Sequence, residues 1–405
     1  MSRILIFSPT AFVPHGHGSN YASGLAEGLS QFDAEVHVVG YEGPLALQGK
    51  GISHGVPIPN RDYDRRPGLA GFLRYAWKRR RRDLAFMRGF AALYEELGRP
   101  FTVFEAFEYG SVDRFVKKEN ASQNYVCVLH ETNFNFRHGS PLVALYKRSV
   151  RSNVESILRN SVCCFVHGKA MRDNLIENVF PGNRAVAEKV KILPHGAPSP
   201  RSELQIPRET ALETLGLDAS KRYLLSFGTL RTDKKFEPVL AVLRETDGWM
   251  WLLAGPEGDY QYACIRELAR QFGVEDKIVI HNRFLPLPDH PVYFGCADAV
   301  VNLYQDYIRH ESGTAQKARA FLKPVIVDGP PDLTDYVTSE GIGWKIDASD
   351  VQAFKRLLDQ IAHGSDEEKT QLAARIRRCA EERSWENVGR IIMENIRPFL
   401  TERPA

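Results

Sequence analysis

The stretch YLLSFGTLRTDKK, residues 223–235, runs an apolar segment into Phe227-Gly228 and then into a loop carrying Arg231, Lys234 and Lys235. A short apolar run closed by glycine reads as a buried strand, here placed just before a helix. The same rhythm continues downstream in WMWLLAG (249–255), KIVIH (277–281), AVVNLY (299–304), KPVIV (323–327) and GWKI (343–346). Upstream it is found in ILIF (4–7), EVHVV (35–39), FTVFEAF (101–107), YVCVLH (125–130), VCCFVH (162–167) and KVKILP (189–194). Apolar runs alternating with segments of helical period predict an α/β fold with two parallel sheets, not an all-β or bundle fold.

Gly196-Ala197-Pro198-Ser199-Pro200, followed by the polar SELQIPRE, reads as the linker between the sheets. Residues 1–197 are predicted to form one domain and 198–384 another. The segment 385–405, which opens on the amphipathic WENVGRIIMENIRPFL, is expected to pack back on the first. Doubly wound sheets take ligands at the carboxyl ends of their strands, so two such domains facing across a cleft would place function in the loops after strands.

Composition narrows the class. The 405 residues are 43% hydrophobic and 25% charged, which excludes wholesale disorder. Their 53 Lys+Arg against 50 Asp+Glu leave a net +3, too little for a nucleic-acid binder unless the charge is concentrated locally. Cys127, Cys163, Cys164, Cys264, Cys296 and Cys379 lie mostly in apolar runs with no repeating spacing, which fits a reducing compartment better than a disulfide framework. No uninterrupted apolar stretch reaches the roughly 18 residues of a spanning helix, and MSRILIFSPTAF reads as a first strand and not as a signal peptide. A cytoplasmic protein, soluble or peripheral, is expected.

Three loops after strands carry chemistry. Pro14-His15-Gly16-His17-Gly18-Ser19-Asn20 precedes the helical spacing of Ala22, Leu25, Ala26 and Leu29. Its glycines would let backbone amides approach an anionic group at a helix start. The dinucleotide fingerprint is incomplete, because Tyr21 stands where the third glycine belongs, so a nicotinamide dehydrogenase is disfavoured. In the second loop Arg231 and Lys234 lie three apart. Arg binds phosphate oxygens bidentately and Lys supplies a compact charge, so the pair suits a departing diphosphate as well as a solvated turn. In the third, Ser312-Gly313-Thr314 opens a helix, where it would serve as an anion site or simply as a cap.

In this order the loops resemble the family 4 retaining glycosyltransferases of GT-B fold, over nearly the whole chain. The resemblance includes the Gly16 to Gly18 loop, Leu129-His130-Glu131, KILPHG (191–196), FGTLRTDK, LLAGP, HNRFLP (281–286), YFGCADAVVNLY, SGTAQKARAFLKPVI and Ser384-Trp385-Glu386. It implies two Rossmann-like domains, the first binding the acceptor and the second a nucleotide-sugar donor. The chain looks like the subgroup with G-x-x-R-x-x-K and an SG donor loop. The family's cations hold the donor diphosphate, which implies that role for Arg231 and Lys234. The same resemblance places Gly16, Gly18, Ser312, Gly313 and Thr314 on the donor, and Arg283 and Phe284 beside its base. His130 would lie near the reacting sugar, with His15, His17 and Glu131 on the acceptor side. The family's two glutamates eight apart are absent, since Arg309 and Lys317 occupy those positions, and Glu311 is the candidate acid near the sugar.

The resemblance implies retention without a side chain attacking the sugar. The co-substrate would be a UDP- or GDP-linked sugar, with no further cofactor, and the acceptor a glycan or polyprenyl-linked sugar of a surface polysaccharide or glycolipid. Residue His195 is expected at the crossover between domains. No acidic metal-binding triad stands out, and strand alternation sends Cys164 to the face opposite Cys163 and His167, so metal-independent catalysis is expected. The missing glutamates keep open a weakened scaffold that binds nucleotide or glycan without turnover. A sugar phosphorylase or epimerase is a third reading.

Residues 61–82, RDYDRRPGLAGFLRYAWKRRRR, concentrate the positive charge that the whole-chain balance hides. Aromatics interleaved with arginines suit an anionic bilayer surface at the inner membrane face, or else a solvated helix. No nucleic-acid recognition module surrounds them.

Overall fold

A computed structural model describes residues 2–13, 18–47, 50–59, 69–105, 107–132, 134, 141–201, 204–305 and 312–400. The chain divides into two compact units, one of Met1–Gly196 with Trp385–Ala405, the other of Ala197–Ser384.

The first unit holds seven strands: β1 Ser2–Phe7, β2 Ala34–Tyr41, β3 Ile52–Val56, β4 Phe101–Phe104, β5 Tyr125–Leu129, β6 Cys164–Val166 and β7 Val190–Ile192. All pair in parallel, in the order β3-β2-β1-β4-β5-β6-β7. Alternation along β1 explains its unbroken apolar text. Ile4 and Ile6 face the core under the helix Gly18–Leu29, while Leu5 and Phe7 face the core under Phe86 and Phe90. A parallel sheet covered on both faces needs apolar residues at every position. The sequence runs account for six of these strands. Strand β3, ISHGV, is an edge strand with three of its five residues exposed, so it carries no apolar run to read.

The second unit holds β8 Arg222–Phe227, β9 Trp249–Ala254, β10 Ile278–His281, β11 Ala299–Leu303, β12 Val325–Asp328 and β13 Gly343–Lys345. Their order, β10-β9-β8-β11-β12-β13, is again fully parallel and repeats the doubly wound pattern. The winding reverses between β1 and β4 in one sheet and between β8 and β11 in the other. Loops leaving those strands at their carboxyl ends are therefore where ligands are expected.

The helix Trp385–Ile396 belongs to the first unit. It buries Trp385, Val388, Ile392, Met393 and Ile396 against the same core as Tyr21, Leu25 and Leu29.

Candidate functional site

In the second unit, β8 ends at Phe227 and the chain turns at Gly228 with φ +92°. Gly255, at the end of β9, has φ +152°, and a Cβ there would stand 2.3 Å from the Gly228 carbonyl oxygen. Glycine is thus required for the two loops to lie backbone to backbone, where Gly228 N–H donates to Ala254 O at 2.8 Å and Leu230 N–H to Pro256 O at 2.9 Å. Thr232 ties the far side down, donating from its amide and hydroxyl to the Asp259 carboxylate at 2.9 and 3.0 Å.

This frame sorts the three cations of the loop. Lys235 donates to Asp328 Oδ2 at 2.8 Å and is satisfied within the protein. Arg231 pairs with the buried Asp233 while its side chain stays 48% exposed. The Lys234 ammonium makes no hydrogen bond or ion pair among the described residues, and burial, against the nearby charge of Asp233, pushes it down to about 8. Its backbone is bridged to Tyr304, so the loop after β8 is held against the loop after β11.

Across that junction Ser312 caps the helix Gly313–Ala320, accepting from Ala315 N–H at 3.4 Å, and Thr314 donates to Phe227 O at 3.0 Å. Both hydroxyls are engaged within the protein. What the helix start leaves open are the Gly313 and Thr314 amides, which make no hydrogen bond among the described residues, with open space where a Gly313 Cβ would lie. Such amides at the positive end of a helix favour an anion. At the foot of the site Asn302 Nδ2 is a buried donor with no partner among the described residues.

Lys317, one turn along the same helix, also has no ion pair or hydrogen bond among the described residues. Its nitrogen stands 5.5 Å over the Phe227 ring, and burial pushes it down to about 8. Burial, and then the charge of Lys317, drive His290 down to about 3, so that imidazole is neutral and donates from Nε2 to Leu285 O at 3.1 Å. Among the described residues, the loops after β8 and β11 thus bring together the Lys234 amine, the Arg231 guanidinium and two amides, with the Asp233 carboxylate paired to Arg231, while the Lys317 amine lies over Phe227 beside His290. A further depression of about 380 Å³ opens beside β10, lined by Thr214, Leu215, His281, Asn282, Arg283 and Tyr293. The Arg283 guanidinium is tied to Asp289 at 2.7 Å, and Phe284 is 46% exposed.

In the first unit His130 directly follows β5. Its Nε2 meets Glu105 Oε1 at 2.9 Å, and Ser8 donates to Glu105 Oε2 at 2.6 Å. Its Nδ1 lies 2.8 Å from His167 Nε2. Glu131, next along, is exposed. Gly18 opens the helix Gly18–Leu29 and is buried against Thr10. His15, Gly16, His17, Arg309 and Glu311 lie outside the described residues. Sequence reasoning missed Glu105 and Tyr21, and missed that His195, assigned to the crossover, reaches His167 with ring centroids 4.8 Å apart. A carboxylate inside the apolar text FTVFEAF was the one available signal for Glu105.

No family model and no curated protein matches the chain. Solved structures do. Sucrose-phosphate synthase from Thermosynechococcus elongatus superposes with a TM-score of 0.72 at 16% identity, over 98% of this chain and 99% of its own. A glycosyltransferase from Rickettsia africae gives 0.68 at 12% identity, over 99% of both chains. HepE from Anabaena, crystallised in complex with UDP-glucose, gives 0.66 at 14% identity, over 98% of this chain and 100% of its own. The chain therefore has the GT-B fold, two Rossmann-like α/β units each built on a doubly wound parallel sheet.

Proposed function

We propose that the chain is a retaining glycosyltransferase, of the family 4 type, that moves a hexosyl group from a UDP- or GDP-linked sugar to a glycan or lipid-linked acceptor in surface polysaccharide or glycolipid synthesis. The observation that carries this reading is the buried Lys234 ammonium, held with Arg231 and the open Gly313 and Thr314 amides at the winding reversal of the second sheet. A desolvated cation is a cost to the fold that an anionic ligand offsets. The fold is shared with proteins that act on sugars, and HepE is crystallised with UDP and with UDP-glucose.

In this reading the second unit binds the donor and the first the acceptor. As the sugar–phosphate bond breaks, negative charge develops on the diphosphate. Lys234, Arg231 and the two amides stabilise it there without reorganising. Retention with no side chain attacking the sugar requires the acceptor hydroxyl to enter on the face the diphosphate leaves. His130, which lies beside Glu105 in the first unit, is assigned to the acceptor side.

The first test is a thermal-shift screen with UDP and GDP. At 100 times its dissociation constant a ligand adds about 2.7 kcal/mol. For a unit of this size that raises Tm by about 5–10 °C. Assays across sugar nucleotides then follow. Binding without transfer would favour the scaffold reading, which rests on Lys317 standing in a position where the family has glutamate. Turnover only with inorganic phosphate would favour a phosphorylase.

We also propose that the basic helix Leu69–Glu96 meets an anionic membrane surface. Its carboxyl half docks on the sheet through Phe86, Phe90, Leu93 and Tyr94. Its amino half leaves Trp77 58% exposed, with Arg81 stacked on it at 4.8 Å and Arg79 and Arg80 exposed. Among the described residues no helix is long and apolar enough to cross a membrane. Flotation with anionic vesicles is expected to carry the chain at low salt and release it at high salt, because the Debye length shrinks from about 10 Å at 0.1 M to about 3 Å at 1 M. Flotation indifferent to salt and lipid charge would remove this part of the proposal.

A further inference from the structure

We infer that His130, His167 and His195 form a site for one divalent metal ion of the zinc class, at the carboxyl rim of the seven-stranded sheet. The three imidazoles follow the adjacent strands β5, β6 and β7, and one ring nitrogen from each lies within 4.8 Å of the others. This convergence is invisible in the sequence, where the residues sit in three separate runs.

The outer nitrogens set the chemistry of the inner ones. His167 Nδ1 lies 3.1 Å from Leu193 O, and a carbonyl only accepts, so that nitrogen carries its proton. His195 Nδ1 stands likewise 3.1 Å from Gly196 O. His130 Nε2 faces the Glu105 carboxylate, whose side chain is fully buried and is itself held by Ser8. Imidazoles whose far N–H is fixed by a carbonyl or carboxylate are the usual arrangement around a bound metal, because it aims the remaining lone pair and raises its basicity. Here it aims His130 Nδ1 and His167 Nε2 at each other across 2.8 Å. In the metal-free chain the two are hydrogen-bonded, and a metal ion would take the place of the proton between them.

Three neutral nitrogens without a thiolate suit Zn²⁺, Co²⁺ or Ni²⁺ and not Ca²⁺ or Mg²⁺, and leave a fourth position open. Metal–nitrogen bonds of about 2.0–2.1 Å in tetrahedral geometry separate ligand nitrogens by about 3.3–3.4 Å. The His130–His167 pair opens slightly and His195 swings inward to reach this. The Tyr21 ring stands edge-on to all three imidazoles, at 4.7, 5.8 and 5.2 Å between centroids, and forms an apolar wall. Cys163 and Cys164 are not alternatives, since burial pushes both thiols well up, Cys163 to about 12.

The test is titration of the chelator-treated full chain with Co²⁺ alone, followed by Zn²⁺ competition, with no nucleotide present, so that the result is independent of the donor reading. One Co²⁺ per chain is expected, with the strong visible absorption of four-coordinate cobalt, displaced by Zn²⁺. His167→Ala and His195→Ala, each checked by circular dichroism to be folded, are expected to abolish it. Glu105→Gln should keep the stoichiometry and weaken affinity about 10–100-fold. A folded wild-type chain that takes up no Co²⁺ or Zn²⁺ overturns the site, as does undiminished binding by folded His167→Ala or His195→Ala.

Discussion

Lys234→Ala is expected to lower transfer about a hundredfold to a thousandfold, the usual cost of losing one donor aimed at developing negative charge. Its melting temperature should be unchanged or slightly raised. The stability half follows from the sign of the shift. Burial holds the Lys234 pKa at about 8, below that of an exposed lysine, so the folded chain binds fewer protons than the unfolded chain between those values. Stability then rises as pH rises through that window, and at neutral pH the charged amine weighs against folding. Alanine removes that weight along with the amine. Lys235→Ala is the counter-case, because it strands Asp328, its partner at 2.8 Å. It should destabilise the second unit by about 1–3 kcal/mol without a comparable loss per folded molecule. The same window predicts that nucleotide affinity falls above about pH 8, since Lys234 and Lys317 both lose their protons there. Calorimetric titration with UDP or GDP at several pH values reads this directly. Affinity flat up to pH 10, or equal loss of folding and activity in Lys234→Ala, would return these lysines to a structural role.

The two lysines also mark what the sequence can and cannot disclose. Strands in a doubly covered parallel sheet are apolar at every position, so β8 to β13 are legible as runs, whereas the edge strand β3 is not. Arg231 and Lys234 are legible as two cations after a strand-ending glycine, a pattern that suits a diphosphate and a solvated turn alike. Which of them is ion-paired among the described residues is not legible. That depends on Asp233 turning to Arg231 and on Asp328, at the end of a distant strand, reaching Lys235. Lys317 reads in sequence only as a missing acid, and the burial of its amine emerges from the packing of its helix on Phe227. Glu105, His130, His167 and His195 come from four different segments, and only the parallel order of β4 to β7 makes them neighbours.

Gly28→Ala is expected to cost the first unit about 3 kcal/mol or more, at or above the upper end of ordinary overpacking, because nothing near the new methyl group can turn aside. Its Cβ would stand 2.0 Å from the Trp385 carbonyl oxygen and 2.8 Å from its carbon. From the other side a Cβ on Gly389 would stand 2.4 Å from the carbonyl carbon and oxygen of Gly28. The helices Gly18–Leu29 and Trp385–Ile396 thus cross backbone on backbone, and a flexible side chain is not what gives way. Relief requires the terminal helix to lift, exposing Trp385, Val388, Ile392, Met393 and Ile396, each worth about 1.5–3 kcal/mol when large and fully buried. The displacement reaches the histidines, because Tyr21 packs on Trp385 at 5.0 Å between centroids and on His130 at 4.7 Å. Denaturant unfolding should show the first unit melting ahead of the second, and limited proteolysis should release the segment after Ser384. Gly389→Ala should do the same. The double variant should cost less than the sum of the two, since one crossing is opened only once. Additive costs, or a Gly28→Ala chain as stable as wild type, would mean that the terminal helix does not seat on these glycines.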